Sequence, residues 1–302
     1  MKNKILKIAG YCLFFLCCLV FFLLQGFPVE MVGALLQNRA RAAGFKLSYE
    51  EIDTMFPNGL EFDTLRLQHP RQEGGSYSLR LDNASARLSL LSLLGGHKSL
   101  SFQVDLLGGS LTGAFDTRQQ GWHLQATLAG LRLDKIAFWK ELLGQQLKGE
   151  LGGEVELDWN PRQVKDGSGR IQLQLLGGKI GQGKIYGINL PWVDLGKTQL
   201  NLEIKKGKAE IKTFKVQSDD LEGGLDGYLL LQQLLANSSI HCRLRFKPAG
   251  ELMEKIRKQI PPEFHAMLDR ELNRARGSDG FYRYSIFGRI FSGRPTFRPL
   301  RQ

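Results

Sequence analysis

Five histidines are the first residues to weigh, because imidazole both binds metals and moves protons near neutral pH. They are His69, His97, His123, His241 and His265, and no two lie close in the sequence. None has an acidic residue at metal-ligand spacing, so each reads as a strand or loop residue. Asp219-Asp220 has the form of a paired carboxylate for acid–base or metal chemistry, but its setting between strand patterns reads as a solvated turn. Gly196-Lys197-Thr198 ends like a phosphate loop, yet the first glycine of that motif would fall on Pro191. No Gly-x-Ser-x-Gly elbow occurs. Asn83-Ala-Ser and Asn237-Ser-Ser match the glycosylation acceptor pattern, which carries no meaning if the organism is bacterial. Of the four cysteines, Cys12, Cys17 and Cys18 sit in one apolar run, leaving only Cys242 in the body. The body therefore has neither an intrachain disulfide nor a cysteine-based metal site. These residues argue for a protein that is not an enzyme, with no catalytic, cofactor-binding or metal residue and no cofactor.

The element on which everything else depends is the apolar stretch Ile8 to Val29, which has no charged residue between Lys7 and Glu30. About 20 apolar residues in a helix cross a bilayer core. A cleaved signal peptide is the competing reading, and Lys2, Lys4 and Lys7 suit both. Leu24-Gln25-Gly26-Phe27-Pro28 places bulky residues where a cleavage site wants alanine, and no lipobox is present. The expectation is an uncleaved single-pass anchor. The lysines before it and Glu30 after it place the N-terminus in the cytoplasm and the body in the periplasm. Residues 1–29 then form a cytoplasmic tip and anchor, residues 30–44 a stalk or interfacial helix, and residues 45–302 a periplasmic β-rich domain. A helix from Pro28 to Ala43 follows from Val29, Val32, Leu35 and Ala40, with Gly44 as its stop.

From Phe45 the hydrophobic period changes from 3.6 to 2. Alternation runs through Leu60–Leu67, Tyr77–Leu81, Ala84–Leu90, Leu100–Leu106, Ser110–Phe115 and Trp122–Leu128. It resumes through Gly149–Leu157, Arg170–Leu175, Thr198–Ile204, Lys208–Val216, Leu225–Leu231 and Ser239–Phe246. One dry face and one wet face, with short connections, predict antiparallel hairpins and meanders. Phe281–Ile290 reads as the last strand, with Pro295 and Pro299 in an extended tail. Two helical inserts interrupt the pattern, Asp134–Gln146 with Asp134 as its cap and Ala249–Ala275 broken at Pro261-Pro262. The fold class expected is mainly β: an N-terminal transmembrane helix followed by a long curved antiparallel sheet with two short helical inserts. Leu106–Gly113, Leu175–Gly181 and Leu221–Gly227 share a Gly-Gly pattern that predicts a repeated glycine turn or bulge curving the sheet.

Charge is unevenly distributed over the net +11: residues 1–46 carry +5, residues 243–302 carry +8, and the middle is about −2. Basic ends around a neutral middle suit anionic lipid head groups or plain solvated surface. No nucleic-acid motif is present, and no nucleic-acid partner is expected.

The whole-chain pattern resembles protein N of the type II secretion system (GspN) in its longer form. The resemblance rests on the basic tip and span, on Phe56-Pro57-Asn58-Gly59-Leu60, and on Ser89-Leu90-Leu91-Ser92-Leu93-Leu94. It also rests on Leu221–Leu229 and on Gly288–Pro295. The body is similar as well to AsmA-type domains in its Ser-Leu-Leu and Gly-x-Leu-x-Gly patterns. The first resemblance implies a bacterial inner-membrane accessory component of a secretion machine, with other secretion subunits as partners. The second implies a lipid-binding or lipid-transfer protein, with phospholipid as the ligand. Both make the apolar sheet face the candidate site: Leu79, Leu81, Leu100, Phe102, Val104, Leu106, Leu200, Leu202 and Ile204. Two helical inserts are too narrow to cover so many strands, so this face must curl on itself, hold lipid or meet a partner.

Overall fold

The computed structural model describes residues 14–15, 29–42, 45–55, 58–70, 76–89, 92, 95–118, 121–136, 145–160, 163–185, 188–189, 191–232, 238–289 and 296–300. Most of the Ile8–Val29 span lies outside the described residues. Among those described, no helix is long and apolar enough to cross a membrane. The chain is mainly β and divides into two compact units, Met1–Leu90 and Leu91–Gln302.

The first unit opens with helix α1, Val29–Ala42, within the expected Pro28–Ala43. Strands β1 (Lys46–Tyr49), β2 (Ile52–Met55), β3 (Gly59–Pro70) and β4 (Ser76–Leu88) follow. β1 and β2 pair with β3 in one continuous register, Tyr49 opposite Leu65 and Ile52 opposite Phe62, so they are a single strand interrupted at Glu50-Glu51. α1 packs on them through Gly33, where any side chain would run into the Tyr49 hydroxyl and Ile52. Phe62, Thr64 and Ala84 are buried on one face of β3–β4. Leu79 and Leu81 sit on the other face, opposite Leu67 and Leu65, and are half-buried. Tyr77–Leu81 and the run from Ala84 as far as Leu88 belong to one strand. Asn83 keeps it continuous by taking a positive φ of 46°, which asparagine tolerates better than most residues.

The second unit is an antiparallel meander of β5 (Ser99–Leu106), β6 (Gly109–Arg118), β7 (Gly121–Arg132), β8 (Gln146–Trp159) and β9 (Ser168–Gly181). A separate two-stranded ribbon, β10 (Lys184–Ile185) and β11 (Ile188–Asn189), comes next. The meander continues through β12 (Val193–Lys205), β13 (Lys208–Gln217), β14 (Leu221–Leu230), β15 (Ser239–Pro248), β16 (Tyr282–Arg289) and β17 (Thr296–Pro299). Each strand pairs with its neighbours in this order, because short turns between alternating runs leave only antiparallel partners within reach.

Several expectations change. The C-terminal tail is not free: β17 pairs with β16, Phe297 opposite Ile286, and Pro299 is tolerated because β17 lies at the edge. The expected helix Asp134–Gln146 is absent at both ends. Leu133–Lys135 form a single 3₁₀ turn and Gln146 already begins β8; residues 137–144 lie outside the description. Asp134 does not cap a helix but bonds the Arg132 guanidinium at 3.0 Å. The second insert is helical: α2 (Gly250–Gln259) and α3 (His265–Ala275) meet across a 3₁₀ turn at Pro262–Phe264, with Leu252, Ile260 and Ala275 buried. α3 packs against β16.

The three Gly-Gly copies do three different jobs. Leu107 and Gly108 form a tight β5–β6 turn with both φ positive, the geometry that matches strand twist in a two-residue hairpin. Gly177-Gly178 lies inside β9 at a register shift against β12, and Gly177 has a φ of 58°. Gly223-Gly224 is ordinary extended strand in β14, with no positive φ.

Candidate functional site

Cross-strand register decides which side chains share a face, since paired residues in antiparallel strands point the same way. One row crosses the whole second unit: Phe102, Gly113, Ala126, Val155, Ile171, Leu202, Ile211, Gly227, Cys242, Ile286 and Phe297. It contains no polar side chain. Two residues along the strands, a parallel row runs through Leu100, Phe115, Leu124, Leu157, Gly169 and Ile204 to Ala209. On the other side lies Val104, Leu111, Leu128, Gly153, Leu173, Leu200 and Phe214. The expected site residues Leu100, Phe102, Val104, Leu200, Leu202 and Ile204 therefore share one continuous apolar face. Leu106 ends β5 opposite Gly109 on that same face. Leu79 and Leu81 belong to the first unit and are described there.

Burial along this face is uneven. In β5–β9 the three rows hold only half-buried apolar residues. From β12 onward Ile204, Ala209, Ile211, Cys242 and Ile286 fall to between 3% and 9% exposure. Large neighbours explain the closed part: Leu200, Leu202, Phe214, Leu225, Leu229, Ile240 and Leu244 pack around Ile211, Cys242 and Ile286. Burial pushes the Cys242 thiol above its ordinary pKa, so it stays neutral and unreactive. In β6–β8 the same rows contain Gly113, Ala126 and Gly153, which fill little volume. Phe102, Leu124, Leu128 and Val155 around them are half-buried. At Gly113 a side chain would strike the Gln125 carbonyl, and the Phe102 ring already occupies the space beside it.

The opposite face is polar, and the hollows described for this chain lie on it. The largest, about 490 Å³, is lined by Tyr228, His241, Arg243 and Phe287. The Tyr228 and His241 rings stack at 5.3 Å, with Lys208 over Tyr228 and Arg298 over Phe287. These contacts cover aromatic surface with the sheet's own cations. No group of three or more metal-ligating side chains exists among the described residues.

Two sequence readings sharpen. His123 gains an acidic partner that spacing could not reveal: register places Asp158 opposite it, Nδ1 to Oδ1 3.0 Å, and Asp158 also takes Arg118 at 2.7 Å. Asp219-Asp220 is not a wholly solvated turn. Asp219 is exposed, but the Asp220 carboxylate accepts the Asp194 amide at 2.9 Å and faces Lys255 of α2 at 3.7 Å, fastening turn, strand and helix together. Compared with protein-family models, curated proteins and solved structures, the chain matches none.

Proposed function

We propose that this chain is a membrane-anchored cell-envelope protein, not an enzyme, whose sheet holds phospholipid acyl chains along its apolar face. The carrying observation is the unbroken apolar row from Phe102 to Phe297, whose residues in β5–β9 are only half-buried. Strands lie about 4.8 Å apart, so β5 to β9 offers ~19 Å of apolar path. One leaflet's hydrocarbon depth is about 15 Å, so an acyl chain fits along it. Each methylene moved out of water contributes about 0.8 kcal/mol, which favours occupation without any directed polar contact. The Ile8–Val29 stretch supplies the anchor in this reading, with the N-terminus cytoplasmic and the body periplasmic at a bacterial inner membrane.

A second reading, an accessory component of type II secretion, draws support from the outer edge of β17. Phe297 there is 55% exposed, and the strand is the last in its sheet, so a secretion subunit could pair with it. Native mass spectrometry of the full chain released from membranes in mild detergent separates the two. Retained phospholipid, lost on Val155→Asp, supports the first. A lipid-free chain that co-purifies with secretion subunits supports the second and overturns the first.

A further inference from the structure

The apolar face does not end alike at its two rims. At the rim where β7 ends and β12 begins it is closed: Leu131, Leu133, Leu175, Thr198 and Val216 are all buried. Asp134 pairs with Arg132 and Asp220 with Lys255 near it, while Lys179, Lys197 and Lys215 are exposed there without an ion pair among the described residues. At the rim where β7 and β13 begin, the face ends in a cross-strand pair of tryptophans, Trp122 opposite Trp159, both half-buried. Trp122 lies two residues before Leu124 and its ring stands 5.6 Å from Phe115, so it continues the apolar face. The Trp159 ring packs on Gly167, where a Cβ would come within 2.9 Å of it. The neighbouring 3₁₀ turn Val164–Asp166 lies against Gly207, whose Cβ would be 3.3 Å from the Val164 carbonyl oxygen. This contact joins the Lys205-Lys206-Gly207 turn to the tryptophan pair. Lys98, Lys165 and Lys206 are exposed here, and no ion pair engages them among the described residues.

Tryptophan at the boundary between an apolar surface and unpaired lysines is the arrangement that suits a bilayer interface, where one end of the ring is dry and the other wet. Lysines near an anionic surface each add attraction that fades over a Debye length. We infer that the Trp122–Trp159 rim, with Lys98, Lys165 and Lys206, docks on an anionic phospholipid bilayer and forms the mouth through which acyl chains reach the apolar face. Docking stands on the rim alone; only the word mouth rests on the lipid-holding reading above. Both rims carry exposed lysines, but only here does a half-buried tryptophan pair continue the apolar face, which the buried residues of the opposite rim close.

The test uses the full chain reconstituted in vesicles of phosphatidylcholine, with or without phosphatidylglycerol, carrying bromine on the acyl chains. Three single-tryptophan variants keep Trp122, Trp159 or Trp192 and carry phenylalanine at the other tryptophans; Trp192, at the closed rim beside Lys148, is the internal control. Trp122 and Trp159 should lose most of their emission to bromine in anionic vesicles, and Trp192 should keep its own. Half-molar salt, or the triple variant Lys98→Glu, Lys165→Glu, Lys206→Glu, should restore the emission. Circular dichroism checks that each variant retains its β signal. Quenching equal at Trp192, or unchanged by salt and charge reversal, overturns the docking surface. Lipid retention is read separately: rim quenching without retained lipid removes the lipid-holding reading and leaves docking intact. Retained lipid without rim quenching does the reverse.

Discussion

The two halves of the apolar face in the second unit follow one pattern and reach different ends. β12–β16 and β5–β9 alternate in the same way, share the same rows and contribute one apolar residue per strand to each. In β12–β16 those rows put long aliphatic side chains beside one another, and small residues such as Ala209 and Cys242 are buried to 3% exposure between them. In β5–β9 the rows put Gly113, Ala126 and Gly153 beside Phe102 and Val155, and nothing in the rows is fully buried. Apolar patterning thus sets which face is dry, while the sizes of residues adjacent across strands set whether that face completes its own core or stays available.

The strongest way to break this comparison is to place a carboxylate in each half. Ile211→Asp buries a charge in the packed cluster and should destabilise the protein by more than about 4 kcal/mol, unfolding a marginal domain. Val155→Asp, at a half-buried position of β8, should cost about 1–2 kcal/mol, because solvent still reaches the group, yet abolish lipid retention. Denaturant melts of the two variants check this; equal losses would dissolve the distinction.

Backbone proximity makes the next contrast. Gly109 has no positive φ, but a Cβ there would overlap the Ala129 carbonyl and Gly130, which are backbone and cannot step aside. Gly224 would meet the Arg245 side chain and the Phe214 carbonyl at 3.3 Å. Gly109→Val should therefore cost about 2 kcal/mol or more, and Gly224→Val about 1 kcal/mol or less. Thermal melts that rank them the other way would show the close approach at Gly109 to be compliant.

Cys242 reports on the closed half without mutation. Its buried, neutral thiol should react with a maleimide far more slowly in the folded protein than in denaturant, read by peptide mass spectrometry. Fast labelling in the native state would mean that the cluster opens.

The smallest expected effect is on pH dependence. Hydrogen bonding from Arg283, 3.0 Å from its Nη1, holds the Asp279 carboxylate below its ordinary pKa; Arg132 does the same for Asp134 beside the open half. A depressed folded pKa means that the contribution is present above the unfolded value near 4 and is lost as pH falls through the folded one. Melts between pH 5 and pH 2, about where carboxylates titrate, should show that Asp279→Asn and Asp134→Asn each flatten the acid slope slightly. Exposed pairs contribute little, so a steep change in either would mark a role beyond this pairing.

Alternation alone made the strands of the second unit legible, because a period of 2 has one physical meaning when glycine turns bound it. The helices at Val29–Ala42 and Gly250–Ala275 were legible for the same reason, through their period and the proline break. The turn at Lys205-Lys206-Gly207 was legible from its glycine, and Lys206 and Gly207 do take positive φ. Composition misled where several structures satisfy one local pattern. Asp134 suits a helix cap as well as it suits the 3₁₀ turn it forms, and Thr296–Pro299 suits a tail until β16 offers its edge. The three Gly-Gly copies look alike as letters and differ as turn, bulge and plain strand, since φ at a glycine is chosen by its partners across the sheet. The His123–Asp158 pair and the Trp122–Trp159 rim were decided only by tertiary structure. Each joins residues that are distant in the chain, and register between strands, which no single strand encodes, brings them together.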